Sequence, residues 1–239
     1  MSRRAFLTAE WRHLAMLNYA IDPEILAPLV PAGTELDFHE GETFVSVVGF
    51  LFLQTRVLKV PIPLHRNFEE VNLRFYVRHR AADGWRRGVT FVRELVPRRA
   101  IATVARVFYE EPYLAVPMRH SLSHGPNELT AQYQWWRSGR WETLGMKVGG
   151  ELRASAAGSH EEFITEHYWG YTKRRSGTSE YGVEHVRWQL QAATEWTFDA
   201  DVASLYGAQF VEPLRSKAVS AFIAEGSPVI VRQGARLGA

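Results

Sequence analysis

Residues 69–79, EEVNLRFYVRH, alternate without a break: Val71, Leu73, Phe75 and Val77 fall on one side, Asn72, Arg74, Tyr76 and Arg78 on the other. A period of two predicts a half-buried strand with one apolar face. Further strands are predicted at WRHLAMLNYAI (11–21), VTFVREL (89–95), RHSLSH (119–124), ELTAQYQWW (128–136), WETLGMKVG (141–149) and ELRASA (151–156). YGVEHVRWQLQAATEWTF (181–198) reads as one long strand, and SKAVSAFIAEGSPVIV (216–231) as a final strand or hairpin with Gly226 in its turn. TELDFHEGETFVSVVGFLF (34–52) reads as a hairpin turning at HEGE, and AADGWRRG (81–88) as a turn between strands. VPIPLHRNF (60–68) reads as a proline-rich loop.

Helical signals are fewer. DPEILAPLVPAG (22–33) offers Asp22 as N-cap, Pro23 at the first position and Gly33 past the end. SHEEFITEHYW (159–169) opens on Ser159 with Glu162 three residues on, a capping-box pair. DVASLYG (201–207) reads as a short helix. Ile101, Val104, Ala105 and Phe108 have helical spacing and predict an amphipathic helix over residues 98–110. Strands outnumber helices and are joined by short turns. The chain therefore reads as one domain, residues 1–239, of α+β class: a mainly antiparallel sheet closed or folded on itself, with a few packed helices.

Composition narrows the function classes. A net charge of +2 does not suit a dedicated nucleic-acid binder. The absence of cysteine excludes disulfides, thiolate catalysis and Cys-ligated metals. The apolar stretch FVSVVGFLFL (44–53) is shorter than the roughly 20 residues that span a bilayer, and no apolar h-region follows the basic MSRRAFLTAEW. A cytoplasmic protein with neither a membrane nor a nucleic-acid partner is expected.

Familiar catalytic patterns are missing. His120 and His124 lie about 13 Å apart on an extended chain, and no third ligand follows, so no metal is expected. There is no G-x-S-x-G, P-loop or G-x-G-x-x-G, and Ser227 in EGSPV reads as a turn residue. The aromatics Tyr133, Trp135, Tyr168, Trp169, Tyr171, Trp188 and Trp196 fit either a packed core or the wall of a ligand cavity. The 98–110 helix would carry Arg98 and Arg99 at its start and Glu110 and Glu111 at its end, both against the helix dipole. Either the arginines extend into water or pair with Glu94, or they help form an anion site at the helix start.

The motifs HRNFEEVNLRFYVR (65–78), FVRELVPRRAIATVARVFYEEPYLAVPM (91–118), EHYWGYT (166–172) and VEHVRW (183–188) resemble the YqjF-like bacterial family across nearly the whole chain. That family is in turn similar in fold to acetoacetate decarboxylase, so the resemblance implies a closed antiparallel β-barrel with a central cavity. In that enzyme an Arg-Glu pair on a strand is followed by a proline and two lysines. One lysine forms a Schiff base with the keto acid and the other lowers its pKa. By this resemblance Arg93 and Glu94 match the Arg-Glu pair, Pro97 the proline, and Arg98 and Arg99 the lysines; Glu70 matches a pocket carboxylate. Guanidinium cannot form a Schiff base at ordinary pH. It can hold a carboxylate or stabilise developing charge.

The expected function is thus a barrel that binds a small organic molecule, such as a carboxylate, through Arg98, Arg99, Glu94 and Glu70, with no cofactor. The rival is a lyase- or isomerase-type enzyme that uses arginine electrostatics and a glutamate acid/base. A third reading is a partner-binding protein with a fully packed interior. A cavity of a few hundred cubic ångströms separates the third from the first two.

Overall fold

The computed structural model describes residues 3–61, 66–97, 112–175 and 177–237. β1 (Ala5–Ile21) runs into Asp22, whose side chain accepts from the Glu24 N–H and starts α1 (Pro23–Leu26). β2 (Glu35–Leu36) and β3 (Thr43–Val57) flank the tight turn at His39–Glu42. They do not form the expected hairpin, because β2 pairs with Val77 and Arg78 instead. β4 (Val60–Pro61) folds back on the end of β3. β5 (Phe68–Ala81) and β6 (Gly84–Val96) form a hairpin whose turn is only Ala82–Asp83, so Trp85, Arg86 and Arg87 belong to the strand.

After the segment 98–111, which lies outside the described residues, come β7 (Tyr113–Ala115), β8 (Met118–Gly125), β9 (Glu128–Arg137) and β10 (Arg140–Gly149). β11 keeps only Arg153–Ala154 of the expected strand. α2 (His160–Thr165) is capped by Ser159, which accepts from Glu162 N–H, while the Glu162 carboxylate accepts from Gly158 N–H. β12 (Trp169–Arg174), β13 (Gly177–Glu184) and β14 (Gln189–Asp199) follow. The long strand predicted at 181–198 is therefore two strands, broken at residues 185–188. α3 (Val202–Tyr206) is capped by Asp201, and α4 (Val211–Arg215) precedes β15 (Ser220–Arg232) and β16 (Ala235–Arg236). β15 is continuous. Gly226 sits within it at φ 85°, opposite Arg12, rather than in a turn.

Hydrogen-bonded neighbours run β13-β12-β6-β5-β3-β1-β15, and β15 pairs again with β13 through Val231–Val183 and Ile230–Glu184. The strand order thus returns to its start. Pairing is antiparallel except for β6 with β12 and with β7. β14 leaves this ring from β15 and carries β10, β9 and β8 as an outer layer.

Two cores result. Outside the ring, Leu17, Val47, Leu73 and Phe75 pack against Tyr133, Trp135 and Leu144 of the outer layer and against α3 and α4. Inside it, Met16, Phe50, Phe52, Phe68 and Trp188 cluster with Phe163 of α2. Val71, Leu73, Phe75 and Val77 are all fully buried, as the alternation predicts. The opposite face is buried as well: Glu70, Asn72 and Tyr76 are each 2% exposed or less. The polar half of the pattern faces the inside of the ring, not water.

Candidate functional site

A cavity of about 200 Å³ lies inside the ring. Most of its wall is apolar. Trp11 meets Phe50 and Phe52 edge-on at ring separations of 5.4 and 5.7 Å, and Trp188, Trp169 and Tyr181 add further aromatic surface. Trp188 is fixed by donating its indole N–H to Ser227 Oγ at 3.0 Å, so Ser227 is a buried anchor on β15 rather than a turn residue. The two readings of the aromatics divide accordingly. Tyr133, Trp135 and Tyr171 are core, Trp169 and Trp188 line the cavity, and Trp196 is exposed.

The polar lining comes mainly from β5 and β6. Glu70 and Glu94 both face the cavity and are nearly inaccessible. Asn72 stands directly across from Glu94 in the β5–β6 register and donates to Glu70 Oε1 at 3.0 Å. Tyr113, beside Glu94 on β7, donates its hydroxyl to Glu70 Oε2 at 3.2 Å. Arg93 shares the face of Leu73 and donates to the Leu205 carbonyl, so it does not line the cavity. The expected site residues Arg98 and Arg99, and the helix predicted around them, lie outside the described residues.

Arg74 and His167 are among the cavity residues that the sequence analysis does not single out. Arg74 continues the Glu70–Asn72 face of β5. Its Nη2 donates to the Ile164 carbonyl at 3.2 Å, its Nε is buried without a partner, and it enters no ion pair among the described residues. His167, between α2 and β12, is buried with its Nε2 3.1 Å from Asp37 Oδ2. Asp37 is held by its own backbone N–H to Tyr76 O at 3.0 Å and by the Arg87 guanidinium at 2.6 Å. Burial alone would raise the Asp37 carboxyl, but hydrogen bonds from His167 and Arg87 outweigh it and hold it below its usual value. Burial pushes His167 down to about 4, against the pull of Asp37. His185, stacked on Trp188 at 4.1 Å, is lowered by burial too.

All four lysines, Lys59, Lys147, Lys173 and Lys217, lie in described segments, and none lines the cavity. His120 binds Glu69 at 2.6 Å, and no group of three or more potential metal ligands is present among the described residues. No described helix is long and apolar enough to cross a membrane.

The model of the DUF2071 family, described as an uncharacterized conserved protein, matches residues 8–228. The uncharacterized protein YqjF of Bacillus subtilis is 26% identical over 184 residues, 77% of this chain and 74% of that protein. Acetoacetate decarboxylase from Legionella pneumophila superposes with a TM-score of 0.65 at 12% identity, covering 100% of this chain and 90% of that one. The enduracididine biosynthesis enzyme MppR, complexed with pyruvate, superposes with a TM-score of 0.65 at 12% identity, covering 98% and 91%. The mainly antiparallel sheet with few helices is therefore shared with acetoacetate decarboxylase-like proteins.

Proposed function

The chain belongs to the DUF2071 family of uncharacterized conserved proteins, and from that premise we propose that it binds a small organic carboxylate inside its ring of strands. In this reading the ring acts as a closed barrel, and the aromatic wall holds the ligand's apolar part. One observation carries the proposal: Arg74 brings a cation with an unmet, buried N–H donor to a cavity whose wall is mostly apolar. A guanidinium in such a place is stabilised by an anion, and carboxylate geometry suits it. The neighbour MppR complexed with pyruvate, a small carboxylate, is consistent with this. Glu70 and Glu94 are the proposed polar groups at the β5–β6 end, and Arg98 and Arg99 complete the proposed set.

Thermal unfolding in the presence of hexanoate, a carboxylate with an apolar tail, tests the proposal. A ligand at a hundredfold its Kd stabilises by about 2.7 kcal/mol, roughly 5–10 °C for a chain of this size. The shift is expected in the wild type and absent in Arg74→Met, which keeps an apolar stem. Equal shifts in both proteins would remove Arg74 from the site.

A second reading is favoured by the two inaccessible carboxylates, Glu70 and Glu94, bracketing Asn72. Buried carboxylates in a ligand cavity are poised for proton transfer, which fits a lyase- or isomerase-type reaction on a carboxylate- or carbonyl-bearing molecule. Its test is exchange of carbon-bound hydrogen for deuterium in a bound keto acid, followed by NMR. Exchange that survives unchanged in both Glu70→Gln and Glu94→Gln would contradict a glutamate acid/base.

A further inference from the structure

The pair Asp37–His167 reaches the cavity from outside it. Asp37 belongs to a surface cleft formed with Arg87, Phe163 and Glu162, whereas His167 lines the interior cavity. Their 3.1 Å contact passes through the wall between the two. An ionised carboxylate can only accept hydrogen bonds. The hydrogen of a neutral imidazole must therefore sit on Nε2, donating to Asp37 Oδ2, and Nδ1 is left with a lone pair. That Nδ1 is buried and has no hydrogen-bond partner among the described residues. Tyr76 fixes the ring from below at a centroid distance of 4.7 Å, and Phe163 packs edge-on at 5.2 Å. The Arg74 guanidinium lies 5.6 Å from the same Tyr76 ring. A donor with an unmet N–H and an acceptor with an unmet lone pair thus stand on one tyrosine, in two residues that line one cavity.

We propose that the ligand is a hydroxy-carboxylate, with Arg74 holding its carboxylate and His167 Nδ1 accepting from its hydroxyl. This rests on the carboxylate reading above and adds the substrate class. His167 becomes a specificity-determining residue, and Asp37 and Arg87 are positioning residues that set its tautomer. The imidazole is held neutral by burial and by the Arg74 and Arg87 cations, against Asp37, the one carboxylate at its ring; Tyr76 is the remaining ionisable group packed on it. Its acceptor is therefore available from about pH 5 upward, unlike that of an exposed histidine.

The experiment is calorimetric titration of the wild-type protein with hexanoate and with its 2-, 3- and 4-hydroxy derivatives. A site built to bond a hydroxyl discriminates against the analogue lacking it, so at least one hydroxy derivative is expected to bind ten- to a hundredfold more tightly than hexanoate. The gain should disappear in His167→Phe, so that no hydroxy derivative binds that variant more tightly than hexanoate does. In the wild type the ratio of the two affinities should stay constant between pH 5.5 and 8, a measurement that needs no variant to fold. Binding of hexanoate with no gain from any hydroxyl would overturn the hydroxy-acid assignment and leave the carboxylate reading standing. So would a gain that survives in His167→Phe, or a ratio that collapses below pH 6.5. If none of the four compounds binds, both readings fall.

Discussion

Arg74 and His167 were both visible in the sequence, but nothing marked them. Arg74 lies on the polar side of a clean alternation, and an alternating strand is ordinarily wet on that side. Only the ring, which turns the polar face of β5 toward its interior while the outer layer covers the other, makes it a cavity residue. His167 has no periodic signal at all, and its partner Asp37 is 130 residues away. Glu70 and Glu94 were legible, though through resemblance to a known family and not through spacing. His167 leads to a pH prediction. Its ordinary value is 6.5 and burial holds it near 4 in the folded protein, so between those values only the unfolded chain takes up the proton. Stability is then complete above about pH 6.5 and falls toward pH 4, by up to about 3 kcal/mol from this group. Asp37, held low, loses its contribution at still lower pH. The urea midpoint should drop between pH 7 and 5, and His167→Phe should flatten much of that slope; a midpoint independent of pH in the wild type would contradict the burial of a neutral histidine. Glu142 offers a second residue-scale test. It is fully buried, accepting from the Trp135 indole and from Asp201 N–H at the start of α3. Glu142→Ala should cost about 1–3 kcal/mol in denaturant unfolding, because the buried Trp135 indole N–H loses its acceptor and the N–H at the start of α3 loses its cap.

At the scale of elements, the alternation in β5 specifies a strand, and long-range pairing follows from no local pattern. β5 lies where the alternation put it, and Leu73→Ala should cost about 2–5 kcal/mol, as expected for a fully buried leucine between two layers. The 181–198 stretch looked continuous because its apolar residues continue on both sides of residues 185–188. The break exists because β13 belongs to the ring while β14 crosses from β15 to the outer layer, which no local signal specifies. β2 was likewise assigned to β3, its nearest neighbour in sequence, when β5 was the available partner. Gly226 was recognised as special and given the wrong reason. It sits mid-strand at φ 85°, and a Cβ there would lie 2.0 Å from the Trp11 carbonyl oxygen. On the facing strand His13 has φ 55°, where the pairing of β1 with β3 shifts register between Arg12 and Ala15. Gly226→Ala should therefore destabilise by on the order of 3 kcal/mol or more, through both strain and collision. A stable Gly226→Ala protein with an unchanged melting temperature would show that β1 and β15 do not bend there.

Across the whole molecule, a shared fold comes with a different cavity wall from the one expected of a Schiff-base enzyme. The strand ring resembles that of acetoacetate decarboxylase, yet none of the four lysines lines the cavity. Borohydride reduction with a keto acid should leave the intact mass unchanged; an adduct on Lys59, Lys147, Lys173 or Lys217 would place the reactive site elsewhere. Among the described residues the ring interior presents an aromatic wall with Arg74, Glu70, Glu94, His167 and His185, the groups on which the proposed carboxylate site rests. The most direct test of that account is a crystal structure of the protein grown with hexanoate. The account predicts the carboxylate inside the ring, with an oxygen about 2.7–3.2 Å from Arg74 Nε and the tail against Trp11 and Trp188. A carboxylate bound only to surface arginines, with the interior closed around its own side chains, would contradict it.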